Sequence, residues 1–242
     1  MLILGIETST QQSSVCLGTE RGPVATASLG RGRAHAEFLT PAIDFCLRRA
    51  DVALSSVAGI AVGLGPGLFT GMRVGIATAQ TLAHARRLPV VGLSALDLLA
   101  FPVRYVRSDR LICAVIDARR SELFWAFYRP SLGGVQRATD LRVGPAEKLA
   151  GEIEAVREDV LCVGDGAVSV ASLLESAGAA VASHGQSHPN AWALVELALP
   201  RFMREETQQP DDLRPIYVRS ADAKISWQNR GALFGGRPEP PT

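Results

Sequence analysis

Gly63-Leu64-Gly65-Pro66-Gly67-Leu68-Phe69-Thr70-Gly71-Met72-Arg73-Val74-Gly75 stands between an apolar strand-like run, Val57 to Val62, and a helix-like run, Met72 to Arg87. Five glycines and a proline between a strand and a helix are what α/β folds use to turn backbone N–H groups toward an anion at a helix N-terminus. The stretch is not a Walker A loop, because no Lys-Ser/Thr follows the glycines, and it is not GxGxxG either. Two readings follow: an active phosphate cradle, or a tight strand-to-helix turn whose glycines serve the backbone. The residues favour the second. A similar element opens the chain, Ile3-Leu4-Gly5-Ile6-Glu7-Thr8-Ser9-Thr10.

The helix that follows is unusual. Val74 to Ala83 carries no charge, and Gly71, Gly75, Ala79 and Ala83 form a small-residue stripe at i, i+4, with Met72, Ile76 and Gln80 beside it. A helix that is neutral all round is buried on more than one side. Each helical glycine costs about 1 kcal/mol against alanine, and close approach by another element offsets that cost. The helix is therefore either a central core helix or one packed on its own sheet and also against a partner chain. Thr70 is the expected N-cap.

Outward from this unit, Leu2–Ile6, Ser13–Leu17 and Val24–Leu29 read as strands. Ala34–Ala50 has helical spacing with Pro41 inside it. Either the helix starts there, with Thr40 as cap and Pro41 first, or its early part is kinked. Pro89–Leu93 reads as a strand and Ser94–Ala100 as a helix. The order βββαβαβα predicts an α/β lobe with a mixed sheet. Pro102–Arg110 is the expected linker, dividing a first lobe (1–104) from a smaller second lobe (108–220). In the second lobe, Leu111–Ile116 and Glu122–Tyr128 predict a hairpin, and Val160–Val163 a further strand. Pro145–Arg157, Val168–Ala177 and Ala191–Arg204 predict helices. Residues 221–242, with three prolines and two glycines in the last eight positions, are expected to be a flexible tail.

The bulk composition excludes little but bounds the class. The 242 residues are 47% hydrophobic and 20% charged, with a net charge of +1. That gives no global argument for nucleic-acid or membrane binding. No uncharged apolar run approaches the ~18 residues of a membrane span. With no basic n-region and no cleavage site, a signal peptide is not expected and the chain reads as cytoplasmic. Cys16, Cys46, Cys113 and Cys162 form no CxxC pair, so reduced buried thiols are expected rather than a zinc site.

Glu7, at the tip of the first strand, and Asp117, at the tip of the second lobe's first strand, could flank a cleft and hold a metal-bound water, or they could cap turns. His184 and His188 stand at metal-ligand spacing in what reads as a loop, and His35 and His84 are isolated. Arg86-Arg87 and Arg119-Arg120 read as solvated surface rather than as an RNA footprint. GxSxG and HExxH motifs are absent.

Ile3 to Thr10, Gly65 to Gly75, Val91-Gly92-Leu93-Ser94-Ala95-Leu96 and Asp117-Ala118-Arg119-Arg120-Ser121-Glu122-Leu123, with Arg214-Pro215-Ile216-Tyr217-Val218-Arg219 near the end, resemble the TsaB family. These bacterial proteins are required for making threonylcarbamoyladenosine in tRNA. The resemblance implies a two-lobed actin-like, sugar-kinase-like (ASKHA) fold. It implies a non-catalytic scaffold or activator that binds the catalytic paralogue TsaD, works with the ATPase TsaE and meets tRNA only through the complex. A homodimer is expected when TsaD is absent.

The implied partner surface is the first two helices, about 34–50 and 71–87, with His35, Phe38, Leu39, Ile43, Met72, Arg73, Ile76 and Gln80. Glu7, Thr8, Ser9, Gly65, Pro66, Gly67 and Asp117 would line a degenerate nucleotide cleft. ATP or ADP with magnesium would enter only with the partners, and no metal or cofactor of its own is expected. The catalytic paralogue carries an HxxxH pair where this chain has Gly92–Ala100 without histidine, and Asp97 alone cannot build that metal centre. Family members often have Asp where this chain has Glu7. The alternative is an active ATP-dependent phosphotransferase or ATPase on the same fold.

Overall fold

The computed structural model describes residues 1–30, 34–106 and 110–218. The expected tail at 221–242 lies outside them, as does part of the expected linker. The chain forms β1 (Ile3–Glu7), β2 (Ser13–Thr19), β3 (Gly22–Leu29), α1 (His35–Arg49), β4 (Gly59–Gly63), α2 (Phe69–Arg86), β5 (Val90–Leu93) and α3 (Ala95–Ala100). It continues through β6 (Leu111–Arg119), β7 (Glu122–Ser131), β8 (Gly134–Arg137), β9 (Arg142–Gly144), α4 (Ala146–Val156), β10 (Val160–Val163), α5 (Asp165–Ser169), α6 (Ala171–Ser176), β11 (Ala180–Val181) and α7 (Ala191–Met203).

The first sheet has the order β3-β2-β1-β4-β5. β1 is antiparallel to β2 and parallel to β4, and β4 is parallel to β5. This is the mixed sheet that the βββαβαβα order predicts. The second sheet runs β11-β10-β6-β7-β8, with β9 paired to β7. Each lobe therefore joins an antiparallel hairpin to parallel strands with helices packed on them, the layered α/β architecture expected.

Strand alternation sends successive side chains to opposite faces. In β1, Leu4 and Ile6 join Leu39 and Ile43 of α1 and Ile76 and Ala79 of α2 in one core. Ile3 faces the other way and packs with Leu194, Val195 and Phe202 of α7. The expected boundary gave Ala191–Arg204 to the second lobe; the helix instead covers the back of the first sheet. Glycines make room for it. A Cβ at Gly5 would come within 2.8 Å of Val195, and one at Gly59 within 2.6 Å of the Phe202 ring. The N-terminus of α7 is held on β2 by the Ala191 N–H donating to Ser14 Oγ at 2.9 Å.

Four local expectations are corrected. α1 is one helix from His35, so Thr40 and Pro41 do not start it. The proline lies on the exposed side, where its missing N–H and its ring are best tolerated. α2 begins at Phe69 after Leu68, so Thr70 is not its cap. The helix expected at Val168–Ala177 is two short ones broken at Val170. The strands β8, β9 and β11 were not anticipated; they are two to four residues long and too short to carry a periodic signal.

α3 joins the lobes. Ser94 caps it by accepting the Leu96 N–H at 3.3 Å. Leu98 packs into the α7 core, whereas Leu96 and Leu99 pack against the second sheet. All four cysteines are free and buried. No described helix is long and apolar enough to cross a membrane.

Candidate functional site

The parallel strands β1 and β4 end side by side, and the glycine-rich turn leaves from β4. This is where an open α/β sheet offers a ligand crevice. Here the crevice is filled by the chain itself. Glu7 is fully buried. Its Oε1 accepts from the Ser9 N–H at 2.6 Å and from the Ser9 hydroxyl. Its Oε2 has no protein partner and lies against Gly63, where any Cβ would collide with it. Burial pushes the Glu7 carboxyl above the ordinary carboxylate range, while the Ser9 hydrogen bonds pull the other way.

The neighbouring groups are consumed in the same packing. Thr8 Oγ1 donates to the Gly71 carbonyl at 2.8 Å. The Leu68 N–H donates to the Ser9 carbonyl at 2.6 Å, and the Ala95 N–H to the Gly65 carbonyl at 2.7 Å. Gly65 adopts φ +83°, a left-handed conformation that L side chains rarely take. Pro66 is buried beside it. Of the expected cleft residues, Glu7, Thr8, Ser9, Gly65 and Pro66 are thus inside the fold rather than lining an opening, and Gly67 is closed over by the Ser9 carbonyl.

Asp117 is engaged separately. Its Oδ1 accepts the Arg119 N–H at 2.7 Å and its Oδ2 the Arg119 guanidinium at 3.1 Å. It tightens a hairpin in which Arg119, Arg120 and Ser121 are all left-handed, at φ +63°, +54° and +59°. No glycine relieves that run, and each such residue costs roughly 1–2 kcal/mol. Residues 118–121 signal no more than a turn.

No group of three or more His, Cys, Asp or Glu residues that could hold a metal is present among the described residues. His188 faces Asp165 at 4.0 Å; burial holds the imidazole below the usual histidine range and the carboxyl above the usual carboxylate range. His35 Nδ1 lies 2.6 Å from Ser13 Oγ and pins α1 to β2; burial lowers its affinity for a second proton.

The first two helices expose a different surface from the one expected. His35, Leu39, Ile43, Met72 and Ile76 are buried in the chain's own core. The small-residue stripe Gly71-Gly75-Ala79-Ala83 is buried as well, because α2 approaches so closely that a Cβ at Gly71 or Gly75 would strike Thr8. Phe38 and Gln80 remain half-buried and Arg73 exposed. What faces outward is the opposite i, i+4 stripe, Phe69-Arg73-Ala77-Thr81-Ala85. Helical phase could have found it, since glycines at i, i+4 are tolerated best against the chain's own backbone, which leaves the next stripe for solvent.

A C-terminal strap runs beside this stripe. Gln208 pairs with Val90, Gln80 Nε2 donates to the Pro210 carbonyl at 2.9 Å, and His84 Nε2 lies 2.9 Å from Asp211 Oδ1. The strap ends with the Ile216 N–H on the Leu64 carbonyl at 2.8 Å and with Tyr217 beside Phe69. In the second lobe a shallow groove passes Phe127, Arg129, Arg142, Glu152 and Glu158. Its charges are already paired, Arg129 with Glu158 at 2.9 Å and Arg142 with Glu152 at 2.6 Å.

Comparison with known proteins then places this geometry. The profile of the family described as "TsaD: tRNA N6-adenosine threonylcarbamoyltransferase" matches residues 30–227. The Escherichia coli K12 tRNA threonylcarbamoyladenosine biosynthesis protein TsaB is 27% identical over 229 residues, covering 94% of this chain and 97% of that one. The YeaZ structure from Pseudomonas aeruginosa superposes with a TM-score of 0.79 at 32% identity, over 90% of this chain and 99% of that one. A more distant neighbour, the activator of 2-hydroxyisocaproyl-CoA dehydratase from Clostridium difficile with bound ADPNP, has a TM-score of 0.51 at 10% identity over 90% of this chain and 100% of its own, a likeness of fold alone.

Proposed function

The chain belongs to the TsaD family, on its TsaB side, and from that premise we propose that it is a non-catalytic partner subunit in tRNA threonylcarbamoyladenosine formation. It binds and orients the TsaD paralogue through the outer face of α2 and the adjoining edge of α1. The observation that carries this reading is the contrast between two places in one lobe. The crevice at the end of β1 is filled, with Glu7 buried and its neighbours spent on internal hydrogen bonds. The outer stripe of α2 is solvent-facing and carries three small uncharged residues, Ala77, Thr81 and Ala85.

The small residues Ala77, Thr81 and Ala85 let another helix approach closely, and beyond Arg73 this stripe leaves no charge to be desolvated on docking. The paralogue's active arrangement is favoured if it alone fits that surface, which is all that an activating subunit needs. With the paralogue absent, the same stripe can pair with a second copy in an isologous dimer. TsaE, nucleotide and magnesium join at the level of the complex, tRNA meets the complex rather than this chain alone, and the site of action is the cytoplasm.

The test is reconstitution of threonylcarbamoyladenosine formation from TsaD, TsaE, threonylcarbamoyl-adenylate and tRNA, with and without this chain. Loss of modification on omission is the expected result. If the chain is dispensable, or if alone it turns over ATP with magnesium at a substantial rate, the reading fails in favour of an enzyme on the same fold.

A further inference from the structure

At the N-terminal end of the outer stripe, three side chains from two distant segments form one stack. The Arg73 guanidinium lies over the Phe69 ring at 3.9 Å, and its Nε donates to Tyr217 Oη at 3.2 Å. The Phe69 and Tyr217 rings are 6.0 Å apart, and all three residues are exposed. The stack and the Nε hydrogen bond hold the exposed guanidinium, and its two terminal NH2 groups make no side-chain hydrogen bond among the described residues. Arg73 forms no ion pair with a carboxylate among the described residues, and the first turn of α2 holds no acidic residue. Most other arginines near a carboxylate are paired, as Arg129, Arg137, Arg142 and Arg204 are.

A charge fixed in place, without a counter-charge and flanked by aromatic rings, has the composition of an interface hot spot. With Nε–H spent on Tyr217, the remaining Nη1/Nη2 edge of the planar guanidinium matches a carboxylate in end-on bidentate geometry. We infer that Phe69, Arg73 and Tyr217 form a carboxylate-receiving anchor, and that its occupant is an acidic side chain on the partner subunit that docks along α2. The C-terminal strap thereby takes part in partner recognition, because Tyr217 is what tethers the guanidinium.

The inference rests on the functional reading above. Protein is favoured over RNA because the rest of the stripe is uncharged. The next exposed cations on α2, Arg86 and Arg87, stand about 20 Å away along the helix, whereas binding a nucleic acid needs several phosphates neutralised together.

Calorimetric titration of the full chain with the TsaD paralogue, from about 50 mM to about 500 mM salt, tests it. The wild type should weaken as salt rises. Arg73→Gln should bind at least about tenfold more weakly at low salt and lose most of the salt dependence. Tyr217→Phe should weaken binding several-fold while leaving the circular dichroism spectrum and melting temperature unchanged. Wild-type affinity and wild-type salt dependence in Arg73→Gln would overturn the anchor while leaving the functional reading intact. Failure of the wild type to bind the paralogue would remove both. A loss of labelled-tRNA binding by Arg73→Gln, with paralogue binding unaffected, would also overturn it, because the anion would then be a phosphate.

Discussion

The Tyr128 hydroxyl donates to Asp97 Oδ1 across 2.8 Å, and the Arg137 guanidinium reaches the same oxygen at 2.7 Å. Asp97 is the half-buried residue of the otherwise buried α3, so this contact ties the helix between the lobes to β7 and β8. The Gly92–Ala100 stretch, which has no histidine, thus serves here as an anchor between the two sheets. Burial and the adjacent Asp97 carboxylate push the Tyr128 phenol well above its ordinary range.

Asp97→Ala should therefore destabilise the chain by about 2–3 kcal/mol, because it strands the buried Tyr128 hydroxyl. Asp97→Asn, which still accepts a hydrogen bond, should cost less, and Tyr128→Phe about 1 kcal/mol. The partly exposed Arg137 adds little. Urea unfolding of the three variants gives the ranking, and an equal effect for all three would contradict it.

Gly75→Ala pits two effects against each other. Helix propensity gains about 1 kcal/mol, but the new methyl meets Thr8 Oγ1 and the side chain of Ile6. The packing term should win, as overpacking typically costs 1–3 kcal/mol, and the melting temperature should fall. A more stable Gly75→Ala would mean that α2 does not lie as close to β1 as described.

For Glu7 the direction of the pH dependence follows from its raised folded-state affinity for a proton. The native state binds the proton more tightly than the unfolded chain. The stability Glu7 contributes is thus fully present below the ordinary carboxylate range and is lost as pH rises through the higher folded value. Glu7→Gln should remove this dependence. The variant should gain on the wild type as pH rises above about 4.5. Denaturant midpoints measured across acidic to neutral pH check it, and parallel curves for the two proteins would show that folding leaves the proton affinity of Glu7 unchanged.

Ile76→Asp and Ala77→Asp differ by one residue and should behave oppositely. Ile76 is buried among Leu39, Ile43 and Ile60, so a carboxylate there should unfold the lobe. Ala77 is exposed, so Ala77→Asp should melt like the wild type yet bind the paralogue at least about tenfold more weakly. Melting curves and titration calorimetry separate the two effects.

Much of this was legible before folding. The apolar runs Leu2–Ile6, Ser13–Leu17 and Val24–Leu29 and the helical spacing of Ala34–Ala50 and Met72–Arg87 were enough for the βββαβαβα lobe. The side of the sheet on which Ala191–Met203 packs was not, because a helical pattern states which residues are buried and not against what. The role of Glu7 was also hidden. A carboxylate at a strand tip reads alike whether it faces a cleft or a Gly63 backbone, and only the fold brings Gly63 against it. Among the expected partner residues, Arg73 lies on the exposed stripe whereas Met72 and Ile76 are buried. A single helical step of about 100° separates these two outcomes, and periodicity without a sheet to set its phase cannot choose between them.

On the proposed function, this chain acts through the outer face of α2 and not through the crevice at the end of β1. The most direct measurement is threonylcarbamoyladenosine formation in the reconstituted mixture, supplied in turn with Glu7→Gln and with Ala77→Asp. Full modification is expected with the first variant and little with the second, although both fold. Modification that is lost with Glu7→Gln and retained with Ala77→Asp would contradict it.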